Sequence, residues 1–369
     1  MKENPKALKH LINSEVLQRI SKSIAQIFPE FNEKQFLNIR SQLSSLELKH
    51  RVHLVCDQLY SQLPKEFTEA NKILTAAVHV GLLKGFELWP FTEYIQTYGT
   101  QNFDESMKTL YLLTQKFTSE FAIRPFIIQH PQKSYDYLMA LTDDPNEHIR
   151  RWASEGTRPR LPWGIKLQEA VKNPQLGIKI LDKLKFDDSL YVRKSVANHL
   201  NDISKDHPHI AIQLALKWQK LARQKNRNKI DWIITRGLRT LIKKGNPEAL
   251  AILGVHQNTE FKFLNFKLKD SFVKIGSQLD FSFKLKNESN HKQKFIIDYA
   301  IYFLKSNGQF YRKVFKIKTI ELNKNDEFEI KKSHSLRPIT TMKYYAGNQH
   351  LEIQINGNSC SKKMWQLKK

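Results

Sequence analysis

Through the first 254 residues, apolar positions recur every three or four residues. "HLINSEVLQRISKSIAQIF", "KILTAAVHVGLL" and "KSYDYLMALT" each follow the i, i+3/i+4, i+7 template of an amphipathic helix. Many such segments without strand-like alternation predict stacked helices. From about residue 258 the period changes to two. "FKFLNFKLKD", "LDFSFKLKN", "KFIIDYAIYFLK" and "YRKVFKIKTIEL" alternate apolar and polar positions and are interrupted by "SNG", "NKND" and "NGN". Strands at this spacing predict an immunoglobulin-like β-sandwich, with a small barrel as the other form open to such a pattern. The expected organisation is a helical domain over 1–255 followed by a β domain over 256–369.

The helical part also echoes itself. "DPNEHIRRWASEG" begins at Asp144 and "DDSLYVRKSVANHL" at Asp187, 43 residues later. In each, an Asp stands five residues before an apolar residue and a basic pair follows: Ile149-Arg150-Arg151 and Val192-Arg193-Lys194. A fainter copy places Arg236 of "IITRGLRTL" another 43 residues on. This period and signature mark HEAT-type helical repeats, which stack into an α-α superhelix. Val192, Val196 and Leu200 form the apolar stripe of the second copy, and Ile149 and Ala153 that of the first. A neighbouring line carries His148, Trp152 and Glu155 in one copy and Tyr191, Ser195, Asn198 and Asp202 in the next. Stacking predicts a strip of carboxylates with Trp152, walled by Arg151, Arg193 and Lys194. The stretch "HIRRWASEGTRPRLPWG" then adds Arg158, Arg160 and Trp163 on a loop stiffened by two prolines. Singly these residues have ordinary structural uses: Arg151 and Glu155 an i,i+4 ion pair, Asp202 a cap, a tryptophan packing.

Charge changes the picture. The 60 Lys and Arg against 36 Asp and Glu give a net +24, which favours polyanions. The excess is not a tail: residues 261–369 alone carry +13 together with 17 of the 40 aromatics. Two cysteines exclude a disulfide framework and a zinc cluster. The start "MKENPKALKH" lacks the apolar core of a signal peptide, and no run of about 18 apolar residues suggests a membrane span. These features predict a reduced cytoplasmic protein.

"ASEGTRPRLPWG" (153–164), "VRKSVANHLNDISKDHP" (192–208) and "EFAIRPFI" (120–127) closely resemble the AlkC-type DNA alkylation repair glycosylases. "LKGFELWPFTEYIQTYG" and "TRGLRTLIKKGNPEAL" extend the likeness along the helices; "IDYAIYFLKSNGQFYRKVFKIK" and "YYAGNQHLEIQINGNS" resemble the immunoglobulin-like domain of one branch. The resemblance implies a bacterial, nucleoid-associated, monomeric and monofunctional glycosylase acting in base excision repair on N3-methyladenine and N3-methylcytosine in duplex DNA. It implies no cofactor, no metal and no membrane partner. The family's acidic residues fall on Glu120, Glu155 and Asp202, and its DNA-contacting residues on Arg151, Arg158, Arg160 and Trp163. The β domain is expected to help encircle the duplex.

Such chemistry suits carboxylates. A base methylated at N3 is cationic and leaves readily, and the sugar passes through an oxocarbenium-like state that an acid aimed at C1′ stabilises. Trp152 or Trp163 would meet the cationic base, and the arginines the phosphates. The rival class is a non-enzymatic HEAT-repeat adaptor using the same basic groove, for which Glu155 and Asp202 are dispensable. An RNA-binding role has only charge and aromatics behind it.

Overall fold

The structure is a computed structural model that describes residues 7–256, 258–339 and 342–369. The first six residues of "MKENPKALKH" lie outside the described residues. Helices run from Leu8 to Ile252 and strands from Phe261 to Lys368, so the change of hydrophobic period marks the change of secondary structure. Among the described residues, no helix is long and apolar enough to cross a membrane.

The 43-residue echo is a structural repeat. Helix α1 (Glu147–Gly156) packs against α2 (Leu190–Asp206), and α2 against α3 (Gln224–Gly237), the site of the faint third copy. Ile149, Ala153, Val192, Val196 and Leu200 are fully buried, as their spacing requires. Each Asp–Arg signature builds the same N-terminal cap. Asp144 Oδ1 accepts from Asn146 N at 2.8 Å, and Arg150 Nη1 donates to the carbonyls of Asp144 and Pro145. In the next copy Asp187 Oδ1 accepts from Ser189 N at 2.8 Å, and Arg193 Nη1 donates to the carbonyls of Asp187 and Asp188. Arg150 also reaches forward to Asp187 through Nε (2.7 Å) and Nη2 (3.1 Å), so one copy locks to the next. The third copy has Ile230 where this Asp would stand, which is why its sequence signal is weak.

The β domain is a two-sheet sandwich. One sheet has strand order β1-β3-β6 (Phe261–Leu268, Gln278–Asn287, Glu327–Ser335). The other has order β2-β8-β7-β4-β5 (Phe272–Lys274, Asn358–Lys368, Gly347–Ile355, Gln293–Leu304, Phe310–Leu322). All pairings are antiparallel except β2 with β8. Alternate residues of β4 (Phe295, Ile297, Tyr299, Ile301, Phe303) enter the core between the sheets. In β1 the alternation slips: Phe263 and Phe266, three apart, both pack on this core. A bulge between Leu264 and Lys267 shifts the parity, and Asn265 within it has φ of 54°.

The compact units do not divide where the texture changes. Helix Pro208–Leu221 and the segment from Leu238 onward group with the sandwich, and α3 returns to the first unit. Lys294 Nζ donates to the Leu253 carbonyl (3.0 Å) and Asn356 Nδ2 to the His256 carbonyl (3.0 Å). Gly245 and Gly357, both at positive φ, let two backbones touch; a β-carbon on Gly357 would fall 2.3 Å from Gly245 Cα. The expected boundary at 255/256 therefore separates helix from strand, whereas packing joins the last short helices to the sheets. A truncation at residue 258 would strip these helices of the surface they pack on.

Candidate active site

The last turn of α1 and the loop that follows carry most of the candidate residues. Asn146 caps the helix, accepting from His148 N at 2.9 Å, and the helix ends at Gly156. Gly156 packs so closely on helix Ile123–Gln129 that a β-carbon would lie 2.7 Å from Ile123 Cγ2. Arg124 braces the same turn. Its fully buried guanidinium donates from Nη1 to the Gly156 carbonyl at 2.9 Å and from Nε to the Ile165 carbonyl. Burial lowers its pKa to about 10, yet it stays cationic near neutrality. One side chain thus ties the end of α1 to the far side of the 157–165 loop. Arg124→Met should leave both carbonyls unserved, a cost of about 1–3 kcal/mol, and lower the melting temperature by several degrees. An unchanged melting temperature in a thermal scan would show that the loop is held otherwise.

Charges alternate along a chain of contacts. Glu120 Oε2 lies 2.5 Å from Arg151 Nη1, and Arg151 Nη2 lies 3.8 Å from Glu155 Oε1. Glu155 Oε1 accepts from Arg158 Nη1 at 2.6 Å, and Arg158 Nε donates to Asp202 Oδ2 at 2.9 Å. Lys205 Nζ closes the series at 3.0 Å from Asp202 Oδ1. Burial opposes the charged forms of Arg151 and Arg158, but the carboxylates outweigh it, and both pKa values rise above the ordinary arginine value. Behind this chain, His199 is fully buried and pushed down to about 4 by desolvation, so it is neutral. Its Nδ1 donates to the Ser154 carbonyl at 3.1 Å, and Ser195 Oγ donates to Ser154 Oγ at 2.9 Å, pinning α2 against α1.

The three candidate acids therefore share one network but not one exposure. Glu120, Glu155, Arg151 and Arg158 line a cleft of about 470 Å³, with Phe86, Trp89, Phe117, Phe121, Trp163 and Tyr191 among its walls. The Asp202 side chain is 1% exposed and does not line it. Its reach toward the cleft runs through Arg158.

Several expectations need correction. Trp152 is fully buried, donates from Nε1 to the Ser119 carbonyl at 3.0 Å, and meets Tyr137 edge-on; no base can reach it. Ser154 takes the place beside Ser195 that stacking had assigned to Trp152 and Glu155. The Arg158 side chain is 7% exposed and is spent between two carboxylates, so it is no phosphate clamp. Arg193 folds onto its own helix cap and Lys194 is exposed, and neither lines the cleft. Arg160 pairs with Asp206 through Nε (2.7 Å) and Nη2 (2.6 Å), with 35% of its side chain exposed.

Trp163 stands at the wall of the cleft in a strained conformation. It is 56% exposed and has φ of 67°, a left-handed conformation that costs a bulky residue of order 1–3 kcal/mol and is held at functional sites. Lys49 Nζ donates to its carbonyl at 2.9 Å. Phe86, Trp89, Phe117 and Phe121 were missed because they come from two other segments and share no period with the repeats. Trp89 stacks on Phe121 at 5.3 Å, and Phe86 and Phe117 meet at 5.3 Å. Tyr191 lies beneath the Arg151 guanidinium, 4.8 Å from ring centre.

The comparisons place this arrangement. The chain is similar to a solved structure, Pseudomonas fluorescens alkylpurine DNA glycosylase AlkC bound to DNA containing an abasic site analog, with a TM-score of 0.92 and 36% identity. The match covers 98% of this chain and 100% of that one. It is also 39% identical over 353 residues to the uncharacterized protein YhaZ of Bacillus subtilis (strain 168), covering 95% of this chain and 96% of that protein. The chain belongs to the AlkC family. Residues 262–369 match the family model described as "Uncharacterised protein YhaZ, C-terminal Ig-like domain", so the sandwich of this AlkC relative is immunoglobulin-like. The AlkC likeness runs through both the helical repeats and the sandwich.

Proposed function

We propose that the protein is a monofunctional DNA glycosylase that hydrolyses the N-glycosidic bond of cationic alkylated bases, N3-methyladenine and N3-methylcytosine, in duplex DNA. The observation that carries this reading is that Glu120 and Glu155 face one aromatic-walled cleft, with Arg151 between them and Arg158 beyond Glu155. Arg151, Arg158 and Lys205 balance the charges of Glu120, Glu155 and Asp202, and they fix the two cleft carboxylates in place. Carboxylate oxygens held at fixed positions in the cleft attract a cationic base and stabilise positive charge growing on the sugar. As the bond to the base breaks, its electron pair leaves with the base, which becomes neutral. Water then attacks C1′, and Glu155 or Glu120 holds it and takes its proton. No nucleophile–base pair and no general acid are required. The family likeness to a glycosylase bound to DNA supports duplex DNA as the partner; the monomeric state and cytoplasmic, nucleoid-associated setting belong to the same proposal.

The test is base release from duplexes carrying a single N3-methyladenine or N3-methylcytosine. The expected product is an intact strand with an abasic site that breaks only on alkali treatment. Tight binding without any abasic product would favour the adaptor reading, in which the carboxylates are dispensable.

A further inference from the structure

The exposed indole of Trp163 borders a second recess, of about 390 Å³, lined otherwise by Glu47, Leu48, Lys49, His50 and His53. These residues come from helix Leu48–Gln62 and its N-cap, which packs against helix Trp89–Tyr98. From that second helix Glu93, 4% exposed, reaches beneath the recess. Its Oε1 lies 2.9 Å from His53 Nδ1 and accepts from Gln96 Nε2 at 2.6 Å. The His53 side chain is 47% exposed. Lys49 contributes the second cation, anchored on the Trp163 carbonyl. The remaining charged and titratable neighbours are His50, Asp57 and Glu47, the last of these paired with Lys9 at 3.4 Å.

The buried Glu93 decides which nitrogen titrates. A carboxylate on Nδ1 keeps a proton there, so the proton gained or lost by His53 sits on Nε2. Protonated, Nε2 is a charged donor; neutral, it is a lone-pair acceptor that repels an anion. The hydrogen bond that His53 donates to Glu93 raises the pKa of His53 above the ordinary histidine value, while partial burial works against it.

Resting on the glycosylase reading above, we propose that the Lys49–His53 recess is a phosphate-binding subsite for the DNA backbone beside Trp163, with Nε2 of His53 as a donor switched by pH. The cleft on the other flank of Trp163, where Glu120 and Glu155 offer carboxylate oxygens, takes the cationic base. The recess supplies the opposite charge within the same stretch of strand.

Affinity for an unmodified duplex, measured by fluorescence anisotropy from about pH 5.5 to 8.5, tests this. Because His53 is held above the ordinary histidine range, affinity is full below its raised pKa and is lost as pH rises through it. Wild type should weaken by about 3- to 10-fold. His53→Gln should be flat with pH, and at low pH its plot of log K against log salt should be shallower by about 0.9, one phosphate contact. Glu93→Gln should move the midpoint down toward the ordinary histidine value, and His50→Gln should keep the wild-type profile. A pH-independent wild type overturns the proposal. So does a His53→Gln protein with the wild-type profile, or loss of the profile in His50→Gln. Undamaged DNA requires no chemistry, so these results are independent of whether the protein releases a base.

Discussion

Glu155→Gln is expected to slow single-turnover base release by about 10²–10³-fold, the usual cost of losing one electrostatic stabiliser of about 2.7–4 kcal/mol. The amide keeps the volume and an oxygen that can accept from Arg158 Nη1, now at 2.6 Å, so the fold should survive. What disappears is the carboxylate charge beside the reacting sugar, which leaves Glu120 as the one acid lining the cleft among the described residues. Duplex affinity should change little, because the side chain is 7% exposed and touches cations of its own chain. Glu120→Gln should act in the same direction. The pair should be non-additive, since both acids lie against the Arg151 guanidinium. Wild-type single-turnover rates in both variants, on a lesion the native protein excises, would remove the carboxylates from the mechanism.

Arg158→Met should have the largest effect on stability. It leaves Asp202, whose side chain is 1% exposed, with only Lys205, and separates Glu155 from its nearest cation. Breaking a buried pair on one side costs about 3–5 kcal/mol, which in a unit of this size lowers the melting temperature by roughly 10 °C. Excision should fall as well, because Asp202 acts on the cleft through this guanidinium and Glu155 is oriented by it. The salt dependence of duplex binding should stay as in wild type. That last measurement separates the structure from the sequence expectation. A protein with an unchanged melting temperature and a shallower salt slope would make Arg158 a phosphate contact after all.

The misplacement of Trp152 was avoidable. Ile149, Trp152, Ala153 and Gly156 occupy i, i+3, i+4 and i+7, the template of an apolar helical face, and all four are buried. Repeat register alone sets the tryptophan on the neighbouring line with Glu155, as the counterpart of Ser195. The fates of Arg158, Arg160 and Arg193 were not readable in that way. A long cationic side chain reaches outward or folds back according to which carbonyl or carboxylate lies within its reach. The partners of Arg158 and Arg160, Asp202 and Asp206, stand 44 and 46 residues along the chain. Arg193 lacked a visible partner because it turns onto backbone carbonyls of its own cap.

Local periodicity by itself determined the class of every major element and the 43-residue repeat, because burial of one face imposes a period of 3.6 or 2 on the chain. It also brought Glu155 and Asp202 into one neighbourhood, since Asp202 lies one turn beyond Asn198, the counterpart of Glu155 in the next stacked repeat. Only the tertiary structure decided which acids face the cleft, which arginines are spent inside, and that Trp163 stands between the cleft of Glu120 and Glu155 and the recess of Lys49 and His53. Those outcomes depend on contacts between segments distant in sequence. There, desolvation and available partners, not the hydrophobic period, set the position of each charge.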